Sequence, residues 1–489
     1  MIRRLFLAGI MAAAAANADW PQFQNTPANT GYAPGVFVNP ASADTVLKFD
    51  LGGAILAAPV VVGDTIYAAS ETGTLYAINF KTGDVAWFFT DSAGIVSTPA
   101  ADNGKIYVAA RSGIIHGLDR MTGAEKWRFT ADDTAAVFKE FQAPVKLANN
   151  RLYAGCFNNR LYCLDTAGNK KWDFRTYFYI REAVAIKDSL VVLTSRDELL
   201  YGLMDQGAAF RLAWQTDPIS CDGFGCISLS RSTPLITDTL VFLNFVENDG
   251  NFWTSAFSTG TGTIAKVYGE YILNNTGFAV SGEGVVFCNG WYYRADSLGP
   301  NGRWWPPAPA PYPIPGWCLQ RPGEGAPVVI GNYAVNVNAF NPAGLYFFNP
   351  VTRAYVAGLA MEGYNISSSL AASDSALFFG TYEGILFGMG HGGSVTGTAK
   401  AKKSSIQPPQ VFPNPFNPVA TIRFFLDRPG PVSIRIFNSA GKVVHAVEKG
   451  FSQGFHQVSW NGKSLPSGIY FVSVTTDGRR FSTRLTLLK

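Results

Sequence analysis

The fold class this sequence predicts is all-β, a propeller of repeated four-stranded blades, and three observations predict it. Tryptophans recur at positions 87, 127, 172 and 214, spaced 40, 45 and 42 residues apart. Between them, short apolar runs alternate with Gly-rich turns, the pattern of antiparallel hairpins. The chain also holds 50 glycines and 28 prolines with only 15% charged residues, which favours short strands over long helices. Four strands in roughly 40–45 residues is the period of a propeller blade.

The elements follow in order. Residues 1–18 read as an export signal: Arg3 and Arg4, an apolar run from Leu5 to Ala16, and Ala16-Asn17-Ala18 before Asp19 as the cleavage site. No stretch has the roughly 18 consecutive apolar residues of a membrane helix. The first full repeat runs from Pro59 to Thr90. Val60–Val62 is an apolar strand, Gly63-Asp64 a turn, and Thr65 to Ser70 a second strand. Gly73 precedes a third strand, Leu75 to Ile78, and Lys81-Thr82-Gly83 turns into a fourth, Val85 to Phe89. Blade openings at 58–60, 98–100, 143–145, 183–185, 233–235 and 326–328 continue the series. Weaker repeats at 278–296 and 369–390 bring the count to eight, or seven if one weak blade is misread. The last repeat lacks a fourth strand, and residues 46–50, "VLKFD", match "VAWFF" at 85–89. They are expected to pair with it, closing the ring and covering its edge.

Trp87, Trp127, Trp172 and Trp214 lie on the outermost strands and are expected to brace neighbouring blades. Cys221 and Cys226, joined by "DGFG", have the spacing for a small disulfide loop, and Cys156 and Cys163 are expected on one face of a hairpin. No second cysteine pair supports a metal site. His116 stands where the sister repeats carry Tyr76 and Tyr162, so it reads as a packing residue. His391 falls in a linker, and His445 and His456 in the tail. From Lys400 onward, 13 basic residues face 3 acidic ones, while the preceding part holds 26 basic and 32 acidic residues. That asymmetry predicts two domains and gives the body no nucleic-acid-binding character.

The stretches "LYAINFKTGDVAW" (75–87), "IIHGLDRMTGAEKW" (114–127) and "LYCLDTAGNKKW" (161–172) resemble the pyrroloquinoline-quinone-type (PQQ-like) β-propeller repeat. The lead-in "DWPQFQNTPANTGYAPG" (19–35) looks like the N-terminal arm of the same family. The resemblance covers about residues 19–390 and implies a quinone cofactor with calcium in the dehydrogenase members. Those members cap the quinone with a disulfide between adjacent cysteines, and this chain has no Cys-Cys. They hold calcium through clustered oxygens, and no compact acidic cluster stands out. Glu182 and Glu324 are the candidate bases. The expectation is therefore no cofactor and no metal, with a PQQ-dependent dehydrogenase as the alternative, because fold alone confers no chemistry.

In that family's geometry, the segments before each first strand converge on one channel mouth. Gln142, Arg181, Glu182, Arg231 and Glu324 would stand there among small residues, with the arginines offered to an anionic or polar group. A second candidate is the insertion "GRWWPPAPAPYPIPGW" (302–317). Its prolines favour an extended segment, and Trp304, Trp305, Tyr312 and Trp317 would form a docking surface for carbohydrate or a protein.

Residues 392–409 read as a small, polar, basic linker. Beyond them, six or seven alternating runs predict a small antiparallel β-sandwich at 410–489. "PNPFNP" (413–418), "SIRIFNSAGKVV" (433–444), "LPSGIYFVSV" (465–474) and "TRLTLLK" (483–489) resemble the C-terminal sorting domain of type IX secretion cargo, itself similar to an immunoglobulin-like fold. The resemblance implies recognition by the outer-membrane secretion machinery and delivery to the cell surface or exterior. The function expected is a secreted, non-enzymatic binding platform for a protein or polysaccharide.

Overall fold

The structure is a computed structural model. It describes residues 19–36, 38–132, 138–216, 226–227, 232–247, 252–268, 277–282, 284–288, 291–294, 326–339, 343–349, 355–391, 398–399, 410–412, 414–426, 430–451, 454–476 and 479–488. The proposed export signal, Arg231, Glu324, the docking-loop residues Trp304, Trp305, Tyr312 and Trp317, and Cys221 lie outside them, as does the side chain of Cys226. The described residues contain strands and turns and no α-helix. The chain divides into two compact units, residues 1–399 and 400–489.

The first repeat folds as its turn residues dictate. Its strands are Val60–Val62, Thr65–Ala69, Thr74–Asn79 and Val85–Thr90, hydrogen-bonded in that order. Gly63, Gly73 and Gly83 all adopt positive φ (57°, 94° and 74°), as tight reversals between these strands require. Gly73 has a second reason, since a Cβ there would lie 1.8 Å from Asp91 O. Eight such sheets occur among the described residues of the first unit. In chain order they span residues 60–90, 100–130, 146–175, 185–215, 226–268, 279–294, 328–360 and 371–390. They are called here the first to the eighth sheet.

Their innermost strands stand side by side. Val60–Val62 adjoins both Ala100–Ala101 and Ala371–Ala372, Ala100–Ala101 adjoins Lys146–Ala148, and Ala279–Val280 adjoins Val328–Ile330. In the eighth sheet, Ile385–Gly390 pairs antiparallel with Asp44–Asp50 from near the chain start, with Leu47 opposite Gly388 and Phe49 opposite Leu386. The segment read as a linker needs one correction. Thr398–Ala399 pair in parallel with Lys48–Phe49, because Asp44–Asp50 leaves a free backbone edge on its outer side. His391 also belongs to the sheet: its N–H donates to Ser375 O at 3.0 Å and its Nε2 accepts from Asn39 N–H at 2.6 Å.

The arm of residues 19–33 does more than lead in. The Val61 amide donates to Trp20 O, Ala101 N–H to Pro21 O, Ile186 N–H to Pro27 O, Ile236 N–H to Ala28 O, Val280 N–H to Thr30 O and Val329 N–H to Gly31 O, at 2.7–3.1 Å. In the third sheet, Leu147 N–H donates to Gln22 Oε1 at 2.9 Å. The arm thus visits the inner strands of the first seven sheets in sequence order. Positive φ at Gln24, Asn25, Asn29 and Gly31 (55°, 63°, 61° and 56°) bends it into an arc. Pro21 and Pro27 have no N–H to offer, yet their carbonyls serve the inner strands.

Among the described residues of the second unit, seven strands form two sheets. One joins Gln410–Phe412, Val419–Leu426 and Gly454–Asn461. The other joins Val443–Phe451, Gly430–Asn438, Gly468–Thr476 and Arg479–Leu487. Alternate residues of both, including Ile422, Phe424, Ile434, Ile436, Val472 and Leu485, fill one core. The "PNPFNP" motif is tied to the final strand: Phe416 N–H donates to Thr486 O at 2.9 Å, Leu488 N–H donates to Phe416 O at 3.0 Å, and the Phe416 ring packs on Trp460.

Candidate functional site

The tryptophans come first, because they set what the sheets leave free. Trp87 Nε1 donates to Arg120 O at 2.8 Å, Trp127 Nε1 to Thr166 O at 3.1 Å, and Trp214 Nε1 to Thr259 O at 2.9 Å. Each acceptor lies in the outer turn of the next sheet. The glycine of that turn lies under the ring: a Cβ on Gly123, Gly168 or Gly262 would come within 2.6 Å of the indole. Trp172 varies the theme, donating to Asp205 Oδ1 at 3.0 Å. Asp205 also takes the Tyr153 hydroxyl at 2.6 Å and the Arg151 guanidinium at 2.5 Å.

Two sequence readings need correction. Cys156 and Cys163 are on opposite faces of their hairpin, since Cys156 pairs with Arg160 and residue 163 lies an odd number of positions further on. Both are buried free thiols; burial pushes Cys156 up to about 12 and raises Cys163 as well. His116 packs on the Phe89 ring, but it is more than a filler. Its Nδ1 meets Glu125 Oε1 at 2.7 Å and its Nε2 meets Asp91 Oδ2 at 3.1 Å. The Ser112 hydroxyl also donates to Asp91, and Arg128 pairs with Glu125. Asp91 follows the first sheet and the other four residues belong to the second, so the cluster clasps two sheets. No local spacing announces it, since the two carboxylates that meet the histidine are 9 and 25 residues away from it.

Burial alone would push His116 down, but hydrogen bonds to Asp91 and Glu125 outweigh it and hold its pKa above the usual value. Burial would raise Asp91 and Glu125, yet bonds from His116, with Ser112 and Arg128 respectively, leave both below the carboxylate range. The histidine's contribution to stability is therefore complete below about pH 6.5 and lost as pH rises through its raised folded pKa. The carboxylates contribute above about pH 4.5 and fade as pH falls through their lowered folded pKa values. Thermal unfolding across this range is expected to show a stability maximum between those limits, and His116→Gln is expected to flatten the alkaline limb.

The structure places only part of the predicted mouth. Gln142 Nε2 donates to Glu140 Oε2 at 2.8 Å, and the Arg111 guanidinium lies 3.7 Å from the same oxygen. Arg181 is exposed and Glu182 half-buried. Phe23 of the arm packs with Ala58, Ala183 and Ala326, which lead into the first, fourth and seventh sheets. Beneath it Lys146, wholly buried, donates from Nζ to Phe23 O at 2.6 Å and Thr26 O at 2.7 Å. Burial holds that lysine well below its usual pKa. Among the described residues, no three His, Cys, Asp or Glu side chains come together to hold a metal ion.

What sequence reasoning missed at this face is the loop of residues 176–179. Its signal was the aromatic run Tyr177-Phe178-Tyr179, which breaks the alternation of the strand before it. Tyr177 and Phe178 are exposed, and Tyr179 stacks on Phe157.

Comparison with known proteins agrees with this architecture. Residues 29–216 match the family described as outer membrane protein assembly factor BamB, and residues 410–487 match the secretion system C-terminal sorting domain. No curated protein matches the chain in sequence. Among solved structures, quinohemoprotein alcohol dehydrogenase from Comamonas testosteroni is similar at 13% identity, with 83% of this chain and 84% of that chain covered and a TM-score of 0.58. A europium-containing methanol dehydrogenase is similar at 12% identity, covering 76% of this chain and 98% of that chain, TM-score 0.57. The computationally designed Ika8 protein gives 13% identity, 71% and 100% coverage, and a TM-score of 0.53. Likeness at these identities shows the fold alone. Residues 29–216 thus carry PQQ-like β-propeller repeats. More particularly, this chain is one that carries a type IX secretion sorting domain, which marks it for the cell surface or extracellular space and for the secretion machinery. No helix among the described residues is long and apolar enough to cross a membrane.

Proposed function

We propose that the protein is a non-enzymatic binding platform displayed outside the cell, with the entry-loop face of the propeller as its contact surface. The observation that carries this reading is Phe23. The chain's own arm packs against Ala58, Ala183 and Ala326, leaving the rim as the surface on which a partner can act. In the same reading the eight sheets are eight blades, and Asp44–Asp50 closes the ring as the outer strand of the last. Residues 1–18 are removed on export, and the tail sandwich is immunoglobulin-like. Equilibrium dialysis of the folded full chain against pyrroloquinoline quinone with calcium tests the reading. No saturable uptake is expected, and saturable uptake near one quinone per chain would overturn it.

A further inference from the structure

The loop of residues 176–179, between the third and fourth sheets, is fastened from several sides. The Thr176 amide and hydroxyl donate to Asn159 O at 2.9 and 3.2 Å, and Tyr177 N–H donates to Asp197 Oδ2 at 2.9 Å. The Ser195 hydroxyl donates to Phe178 O at 2.9 Å and Arg196 N–H to Tyr179 O at 3.0 Å. Yet its side chains stand in water: Tyr177 is 80% exposed and Phe178 is 50% exposed. Beside them, Tyr179 stacks on Phe157 with centroids 4.4 Å apart and planes at 22°, and the Arg196 guanidinium lies 5.8 Å from the Tyr179 ring centre. Phe138, 60% exposed, lies in the adjacent entry loop, whose Glu140 O accepts the Phe157 N–H at 3.0 Å.

Packing accounts for Tyr179 on Phe157 and for the side of Phe178 that meets Tyr179, with centroids 5.0 Å apart, but the exposed faces of Tyr177 and Phe178 gain nothing from the fold. A backbone held so firmly does, however, present rings to a ligand at little entropic cost. We infer that this aromatic rim binds a neutral polysaccharide, its rings stacking on the C–H faces of the sugars. The inference rests on the binding-platform reading and gives that platform a ligand class. Two observations select the class. Charged and amide side chains stand among these residues, with Asn159 Nδ2 donating to Tyr177 O at 3.4 Å, Asp197 taking the Tyr177 N–H and the Arg196 guanidinium over the Tyr179 ring, whereas a protein partner wants an interface core depleted of charge. Those polar groups suit hydroxyl groups flanking an apolar sugar face. The sector is also close to balanced in charge, with Arg111, Lys139, Arg175, Arg181 and Arg196 against Glu140, Glu182, Asp197 and Glu198, so it exerts little long-range pull on a charged polymer.

Affinity electrophoresis of the full chain tests this, in gels containing laminarin, hydroxyethyl cellulose or mannan, with alginate and heparin as charged comparisons. Retardation by at least one neutral polymer is expected. The pair Tyr177→Ala and Phe178→Ala is expected to weaken that binding at least tenfold at unchanged melting temperature. Tyr177→Trp is expected to retain binding, as is Met121→Ala in an exposed turn of the second sheet. Retardation by charged polymers alone, by none of the five, or undiminished in the double alanine variant would overturn the inference. Any of these results, with no quinone uptake, leaves the platform reading in place. Saturable quinone uptake would instead remove the platform reading itself.

Discussion

Replacing Trp87 with alanine is expected to destabilise the propeller by about 3–5 kcal/mol, the range for large aromatics removed from a packed interior. The indole is buried between two sheets, bonds the Arg120 carbonyl, and roofs Gly123. Its removal therefore opens a cavity and strands a carbonyl at a boundary that neither sheet can close alone. Gly123→Ala attacks the same contact from the other side. Its Cβ would press into the ring at 2.6 Å from a backbone at φ 69°, costing about 1–3 kcal/mol. In the double variant the clash disappears with the ring, so the two losses are expected to add to less than their sum. Urea unfolding of the four chains of this cycle provides the check. Additive losses would contradict the contact.

The second large effect is expected at Lys146. Lys146→Ala leaves the Phe23 carbonyl without its donor, while Thr26 O keeps the Asn29 N–H, and empties the space of its side chain, a loss of about 2–5 kcal/mol. Lys146→Met keeps most of the volume and is expected to cost less, about 1–3 kcal/mol. The pH dependence has a definite sign. A lysine lowered in the folded state binds its proton more weakly there than in the unfolded chain, so stability rises with pH between its folded pKa and about 10.4. Lys146→Met lacks that rise. Titrating stability above neutral pH in the two proteins separates the lysine's charge from its packing. A rise kept by the methionine variant would assign the effect to another group.

Much of the fold was legible because the turns wrote it. Gly63-Asp64 and Lys81-Thr82-Gly83 fix reversals by backbone geometry, and strand limits in the first sheet fall within a residue or so of those read from them. The match of residues 46–50 to an outer strand was readable too, since a repeat with a missing strand announces a gap. The arm was not readable as an arc. Its contacts are scattered hydrogen bonds to seven distant strands, six through backbone carbonyls and one through the Gln22 side chain, and Pro21, Pro27 and the Asn/Gln residues that bend it look like an ordinary loop. His116 looked like a substituted tyrosine because its partners, Asp91 and Glu125, meet it only through the pairing of two sheets. The two cysteines were misplaced by a parity that only the register of the hairpin decides. At the rim, Arg181 was singled out for its charge, while the Tyr177-Phe178 pair was passed over. Exposure, which sequence does not display, is what distinguishes them.

The account turns on a propeller that binds without turnover. The most direct measurement is dye reduction by the purified full chain, supplied with pyrroloquinoline quinone and calcium, over a panel of alcohols and sugars. The account predicts rates equal to those of the cofactor mixture without protein. Sustained, protein-dependent reduction that saturates with substrate would contradict it.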